Sequence, residues 1–168
     1  MRKFLVFFIL VYACHIFGEY KTVDLISFAT GINNIFHEKY RTCEFKVEYK
    51  PSIEFHKFRP VIGFMTTCNR SFYANLGFCL DFVFYDCFLV SPGFSAGYYS
   101  KGKGKDLGYP LEFKTGIEVG WQFKNFYRVG VNVYHISNAG LGKRNPGEES
   151  LLFFISVPLS FKKYNKGK

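Results

Sequence analysis

His135 and Ser137 stand two residues apart in the run Tyr134-His135-Ile136-Ser137-Asn138-Ala139-Gly140-Leu141. In an extended strand the side chains alternate between faces, so these two point the same way, roughly 7 Å apart along the backbone. An imidazole so placed can accept the proton of a hydroxyl and activate a weak nucleophile. Such a base needs a third group that orients the ring and stabilises its cation. Glu149 is the candidate: it opens the next strand, which returns antiparallel after a loop. Glu149 shares parity with Leu151, Phe153 and Ile155, as His135 and Ser137 share parity with Val129, Val131 and Val133. Neighbouring Glu148 has the opposite parity. The chemistry these three residues would do is acyl transfer through a serine nucleophile.

All three polar residues therefore cap apolar faces. If those faces look at lipid, an ionisable group there is costly, less so near the interface. Three of them converging at one end of a wall call for a function. The bland alternative is a set of interfacial polar residues where a strand leaves the bilayer.

The elements that would hold this site show the same alternation. From Leu111 to Lys124 the odd positions read Leu, Phe, Thr, Ile, Val, Trp, Phe, and the even positions Glu, Lys, Gly, Glu, Gly, Gln, Lys. A helix does not sort residues this way. Phe72, Ala74, Leu76, Phe78, Leu80, Phe82 and Phe84 oppose Ser71, Tyr73, Asn75, Gly77, Cys79 and Asp81. Phe88, Val90, Pro92, Phe94, Ala96 and Tyr98 oppose Ser91, Gly93, Ser95 and Gly97. Cys43, Phe45, Val47 and Tyr49 oppose Glu44, Lys46, Glu48 and Lys50. The last run, Leu151 to Phe161, alternates with Ser150, Ser156 and Ser160, with Leu152 and Phe154 as exceptions. Weaker runs at 22–34 and 57–66 bring the count to eight. A soluble sandwich also alternates. Two features favour a membrane: strands of about ten residues or more, and polar faces that mix Glu and Lys with Gly and Ser, as a small barrel lumen would. The expected fold is all-β, an eight-stranded antiparallel transmembrane β-barrel.

Composition agrees. There are 22 Phe, 12 Tyr and 16 Gly in 168 residues, without an internal apolar stretch that spans a bilayer as a helix. A length of 168 suits one domain. Arg2 and Lys3 precede an apolar run from Phe4 to Ala13, which reads as a signal peptide over 1–18, with a single barrel domain over 19–168. A lipoprotein-type cleavage before Cys14 is the minority reading. If Cys14 leaves, Cys43, Cys68, Cys79 and Cys87 remain, with three pairings open and a role as small apolar strand residues favoured for most. Their spacing does not resemble a zinc site. The net charge of +9 points to an anionic partner, without choosing between nucleic acid, phospholipid and lipopolysaccharide phosphates. Tyr85-Asp86 and Lys124-Asn125 mark tight turns, whereas Ser100–Gly108 and Asn138–Glu148 are longer loops. Outer-membrane barrels keep short turns in the periplasm, so the strand near 126–137 runs outward and its last residues reach the external leaflet. Trp121 and Tyr127 then read as periplasmic girdle aromatics.

The segment His135-x-Ser137-Asn138-Ala139-Gly140, followed by Asn145-Pro146-Gly147-Glu148-Glu149-Ser150, resembles the signature of the lipid A 3-O-deacylase family. The resemblance implies an eight-stranded barrel of the bacterial outer membrane with a Ser/His/Glu triad facing the membrane. Its catalytic residues fall on Ser137, His135 and Glu149, and its oxyanion support on Asn138 with backbone N–H groups around Ala139 and Gly140. It implies an esterase that removes the 3-position acyl chain of lipid A and uses no metal and no cofactor. The implied partners are lipid A or lipopolysaccharide as substrate and outer-membrane lipid, with no nucleic acid; a homodimer is left open. The chain departs from the family pattern in its Cys content and in the tail beyond Phe161. The lysines of Ser100–Gly108 could attract lipid A phosphates, or simply solvate a loop. Lys101-Gly102-Lys103-Gly104-Lys105 lacks the setting of a phosphate-binding loop, and His37 and His56 lack partners at ligand spacing. The rival readings are a non-enzymatic barrel acting in adhesion or membrane integrity, and a phospholipase using the same triad.

Overall fold

Alternating runs can bury a polar face only by curling around it, and a sheet that curls far enough closes on itself and loses its edges. That closure is what the computed structural model shows, describing residues 22–159. The expected signal peptide, Cys14 and the tail with Phe161 lie outside the described residues. The strands are β1 (Leu25–Asn33), β2 (Thr42–Lys50), β3 (Phe58–Thr67), β4 (Phe72–Leu80), β5 (Phe82–Phe84), β6 (Phe88–Ser100), β7 (Leu111–Gln122), β8 (Arg128–Ser137) and β9 (Glu148–Pro158), with one short 3-10 turn at Glu38–Tyr40. β4 and β5 both pair with β6 and are separated by Asp81 alone, so they form one stave and the barrel has eight. Every neighbouring pair is antiparallel, and β1 closes the ring by pairing with both β2 and β9. The weak runs at 22–34 and 57–66 are β1 and β3.

One end carries the tight connections. Tyr85 and Asp86 both have positive φ, +52° and +61°, the backbone of a type I′ hairpin turn. The other end carries loops L1 (34–41), L2 (68–71), L3 (101–110) and L4 (138–147), which follow from the strand bounds. The two ten-residue connections, L3 and L4, thus fall at the end opposite the Tyr85-Asp86 turn, as the sequence predicts, although L2 has only four residues and the 51–57 connection at the turn end has seven.

The lumen is charged and filled. Lys50 bonds Glu118 at 2.6 Å, Lys114 bonds Glu48 at 2.5 Å, and Lys46 bonds Asn132 at 2.8 Å and pairs with Glu48 at 3.1 Å. Toward the turn end, Asp81 accepts from Arg59 at 2.9 Å, Arg128 at 2.7 Å and Ser91 at 2.7 Å. Between these groups is a cavity of about 40 Å³, room for a few waters and no channel. The outer wall carries Phe28, Phe45, Phe64, Ile117, Phe153 and Ile155 in exposed positions. A charged interior inside an apolar exterior inverts a soluble protein and fits a wall immersed in hydrocarbon.

One detail follows the parity of the last run, and one differs from expectation. Leu152 and Phe154 point into the lumen, buried. Phe154 fits because Gly130 on β8 lacks a side chain: a Cβ there would lie 3.0 Å from the Phe154 ring. Of the cysteines, Cys43 and Cys68 form a disulfide that ties the top of β2 to L2, whereas Cys79 and Cys87 are free.

Candidate functional site

β8 and β9 place the site through their register. Val129 faces Ile155, Val131 faces Phe153, Val133 faces Leu151, and His135 faces Glu149 directly. All point outward. The His135 Nδ1 lies 3.0 Å from Glu149 Oε1 on the exposed side of the wall, the two side chains being 46% and 28% exposed. A carboxylate only accepts, so Nδ1 carries the hydrogen and Nε2 presents its lone pair. Glu148, one residue away, is 2% exposed and belongs to the lumen. Strand parity thus separates two adjacent acids into a wall residue and an interior one.

Ser137 is the last residue of β8, on the same face as His135 and opposite Phe113 of β7. The space beside the imidazole is kept open by Gly147. Its φ is +56°, and a Cβ there would lie 2.5 Å from His135 Cε1 and 3.2 Å from Nε2. Gly147→Ala is therefore expected to displace the ring at its Cε1–Nε2 edge. Any turnover that depends on His135 should fall about tenfold or more, since small misplacements of catalytic groups are costly, while the variant still folds as a barrel. Assaying turnover per folded barrel checks this.

L4 begins at Asn138, whose side chain is wholly buried. Its Nδ2 donates to Leu107 O and Arg144 O, both at 2.8 Å, and its Oδ1 accepts from Gly140 N–H at 2.9 Å. Both amide hydrogens are taken, so Asn138 has no side-chain donor left for an oxyanion. In this arrangement the Asn138 side chain holds the loop. Its own backbone N–H donates to Asn145 Oδ1 at 3.0 Å, a brace within L4. Ala139 and Gly140 have φ of +53° and +83°, and a Cβ on Gly140 would meet nothing within 4 Å. The backbone after Ser137 thus turns sharply beside open space.

Among the described residues no group of three His, Cys, Asp or Glu could hold a metal ion. Asn145 and Gly147 stand in the motif, but sequence alone assigns them no task. Leu107, which anchors Asn138 from L3, carries no local signal; only the fold brings it near.

A closed barrel, charged within and apolar without, with an imidazole–carboxylate pair on its outer wall, defines a membrane protein whose polar chemistry faces lipid. A family model for lipid A 3-O-deacylase (PagL) matches residues 70–158, more than half of the chain, and the chain belongs to that family. Over 55 residues the chain is 42% identical to lipid A deacylase PagL of Pseudomonas aeruginosa. That stretch is 33% of this chain and 32% of the relative, so the match spans about a third of the relative's length. The crystal structure of the outer membrane enzyme PagL superposes with a TM-score of 0.62 at 23% identity, covering 80% of this chain and 99% of that one. A de novo designed transmembrane β-barrel superposes at 0.58 with 7% identity, covering 84% and 98%. These two likenesses concern the fold.

Proposed function

We propose that this protein is an outer-membrane serine esterase that removes the 3-position acyl chain of lipid A. The observation that carries the reading is the His135–Glu149 pair at 3.0 Å on the outer wall, with Ser137 on the same face, inside the segment the family spans. The acyl esters of lipid A lie at the leaflet surface, where this end of β8 emerges.

In the proposed reaction Ser137 Oγ attacks the ester carbonyl and gives its proton to His135 Nε2. Glu149 accepts from Nδ1–H and stabilises the imidazolium. The tetrahedral oxyanion takes a hydrogen bond from the backbone at the turn that Ala139 and Gly140 make. Of these, Ala139 N–H makes no hydrogen bond to the described residues and is the open donor, whereas Gly140 N–H already donates to Asn138 Oδ1 and holds the turn. The carbonyl re-forms as the C–O bond to the sugar breaks, and His135 returns the proton to the sugar oxygen. Water, deprotonated by the same imidazole, then attacks the acyl-enzyme and releases the fatty acid.

The test is mass spectrometry of lipid A incubated with the purified barrel in mixed micelles. The expected product has lost one ester-linked 3-hydroxyacyl chain, with free fatty acid in equal amount. Unchanged lipid A overturns the reading, and fatty acid released from phospholipid alone replaces it with the phospholipase reading.

A further inference from the structure

L3 crosses the barrel mouth and ends against L4. Leu107 is 1% exposed and packs in the buried cluster that holds Tyr99 and Ile136. From that anchored position its carbonyl accepts from Asn138 Nδ2, a contact spanning 31 residues of sequence. Gly108 follows with φ +90°, flush against L4: a Cβ there would lie 2.4 Å from Arg144 O. In return, a Cβ on Gly142 would lie 2.7 Å from Gly108 O. Asp106 locks this corner. Its Oδ1 accepts from Gly108 N–H at 2.9 Å, and its Oδ2 lies 3.4 Å from Arg144 Nη2 and 3.3 Å from Lys101 Nζ. The Gly108 N–H, followed by the Lys101 hydrogen bond, holds the Asp106 carboxyl below the usual carboxylate range.

These contacts form a chain of support. Asp106 fixes the Gly108 corner, Leu107 holds the Asn138 amide, and Asn138 holds the Gly140 N–H just beyond Ser137. We propose that L3 is a positioning element for hydrolysis: through Asp106, Leu107 and Gly108 it fixes the turn after Ser137, and with it the Ala139 backbone donor, where the oxyanion forms. The proposal rests on the reading of Ser137 as the nucleophile. L3 would then act on the transition state rather than on ground-state binding, because the oxyanion exists only there.

The experiment compares wild type, Gly108→Ala, Asp106→Ala and Asp106→Asn in micelles, with rates normalised to folded barrel by cold gel mobility. Two readouts are taken: lipid A hydrolysis, and the rate at which a fluorophosphonate labels Ser137. In labelling, the Ser137 Oγ–P bond forms, the P–F bond breaks, fluoride leaves and His135 takes the hydroxyl proton. The tetrahedral adduct needs the same oxyanion donors.

Gly108→Ala is expected to lower kcat and the labelling rate together, by about 10- to 100-fold, somewhat less than deleting a donor outright, with KM near the wild-type value. Asp106→Ala should fall in the same sense. Asp106→Asn keeps an oxygen for Gly108 N–H and should restore most of the rate. A purely structural loop would change folded yield and leave kcat per folded barrel unchanged; that result overturns the proposal. If Gly108→Ala does not fold, equal rates for Asp106→Ala and wild type overturn it as well. Labelled Ser137 without lipid A cleavage in the wild type would refute the substrate reading, and the labelling rates of the variants would still decide the role of L3. A wild type that never labels refutes both.

Discussion

Ser137→Ala is expected to abolish fatty-acid release from lipid A, by on the order of 10⁴-fold or more, while the barrel folds and unfolds as before. The stability half of this expectation follows from position. Ser137 sits at the end of β8, half-buried at the wall's rim, and no packed layer depends on it. The activity half follows from the proposed roles, and a double variant sharpens it. If Ser137 and His135 act as one unit, Ser137→Ala with His135→Ala should be no slower than either single change. Independent, additive losses would break the assignment. Glu149→Ala should cost less than either, because an imidazole without its carboxylate still accepts a proton, though with its tautomer unfixed. Glu148→Gln is the matched control: it alters an acid one residue away that faces the lumen, and it should leave hydrolysis near wild type.

The second large effect concerns stability. Asp81 sits where β4 gives way to β5 and accepts from both Arg59 and Arg128. Arg59 also donates to the Lys50 carbonyl at 2.7 Å and to Val23 O, so its guanidinium cannot turn away to solvent. Asp81→Ala would take from two buried guanidiniums the one carboxylate that bonds both directly. Removing one member of a buried ion pair costs about 3–5 kcal/mol, mostly the penalty of the stranded charge. Asp81→Asn keeps an acceptor oxygen but no charge, and should fall between. Trp121, the chain's single tryptophan, can report the unfolding transition in denaturant. A loss below about 1 kcal/mol for Asp81→Ala would mean that lumen water screens the two arginines as well as the carboxylate does.

The sequence was most legible where the two faces of a strand differ most. In β7, acids and lysines alternate with aromatic and branched residues, and the structure keeps that sorting throughout. In β1 and β3 the inward positions include Leu25, Ala29, Val61 and Met65, all buried and apolar. They interrupt the polar positions Ser27, Asn33, Arg59 and Thr67 on the same face, so the inside–outside contrast weakens and only a faint run is visible. Leu152 and Phe154 broke the pattern of the last strand for a related reason: the lumen is filled partly by hydrocarbon, and Phe154 occupies the space left by Gly130. The candidate site divides the same way. Parity alone chose Glu149 over Glu148, and the two acids do lie on opposite sides of the wall. Nothing local could show that the Asn138 amide is spent on Leu107, since that partnership joins residues 31 apart through the pairing of β7 with β8. The disulfide was open for the same reason: Cys43 and Cys68 become neighbours only once β2 and β3 are in register.

The outward aim of His135 and Glu149 has a kinetic consequence. With the lumen filled by ion pairs, no ligand reaches this chemistry from inside the barrel, and its reactants travel within the leaflet. Encounter is then two-dimensional. Velocity should follow the mole fraction of reactive lipid in the film rather than its amount per litre. Inert detergent added at constant total lipid should slow the reaction by thinning that film, even though every molecule in the tube is still present.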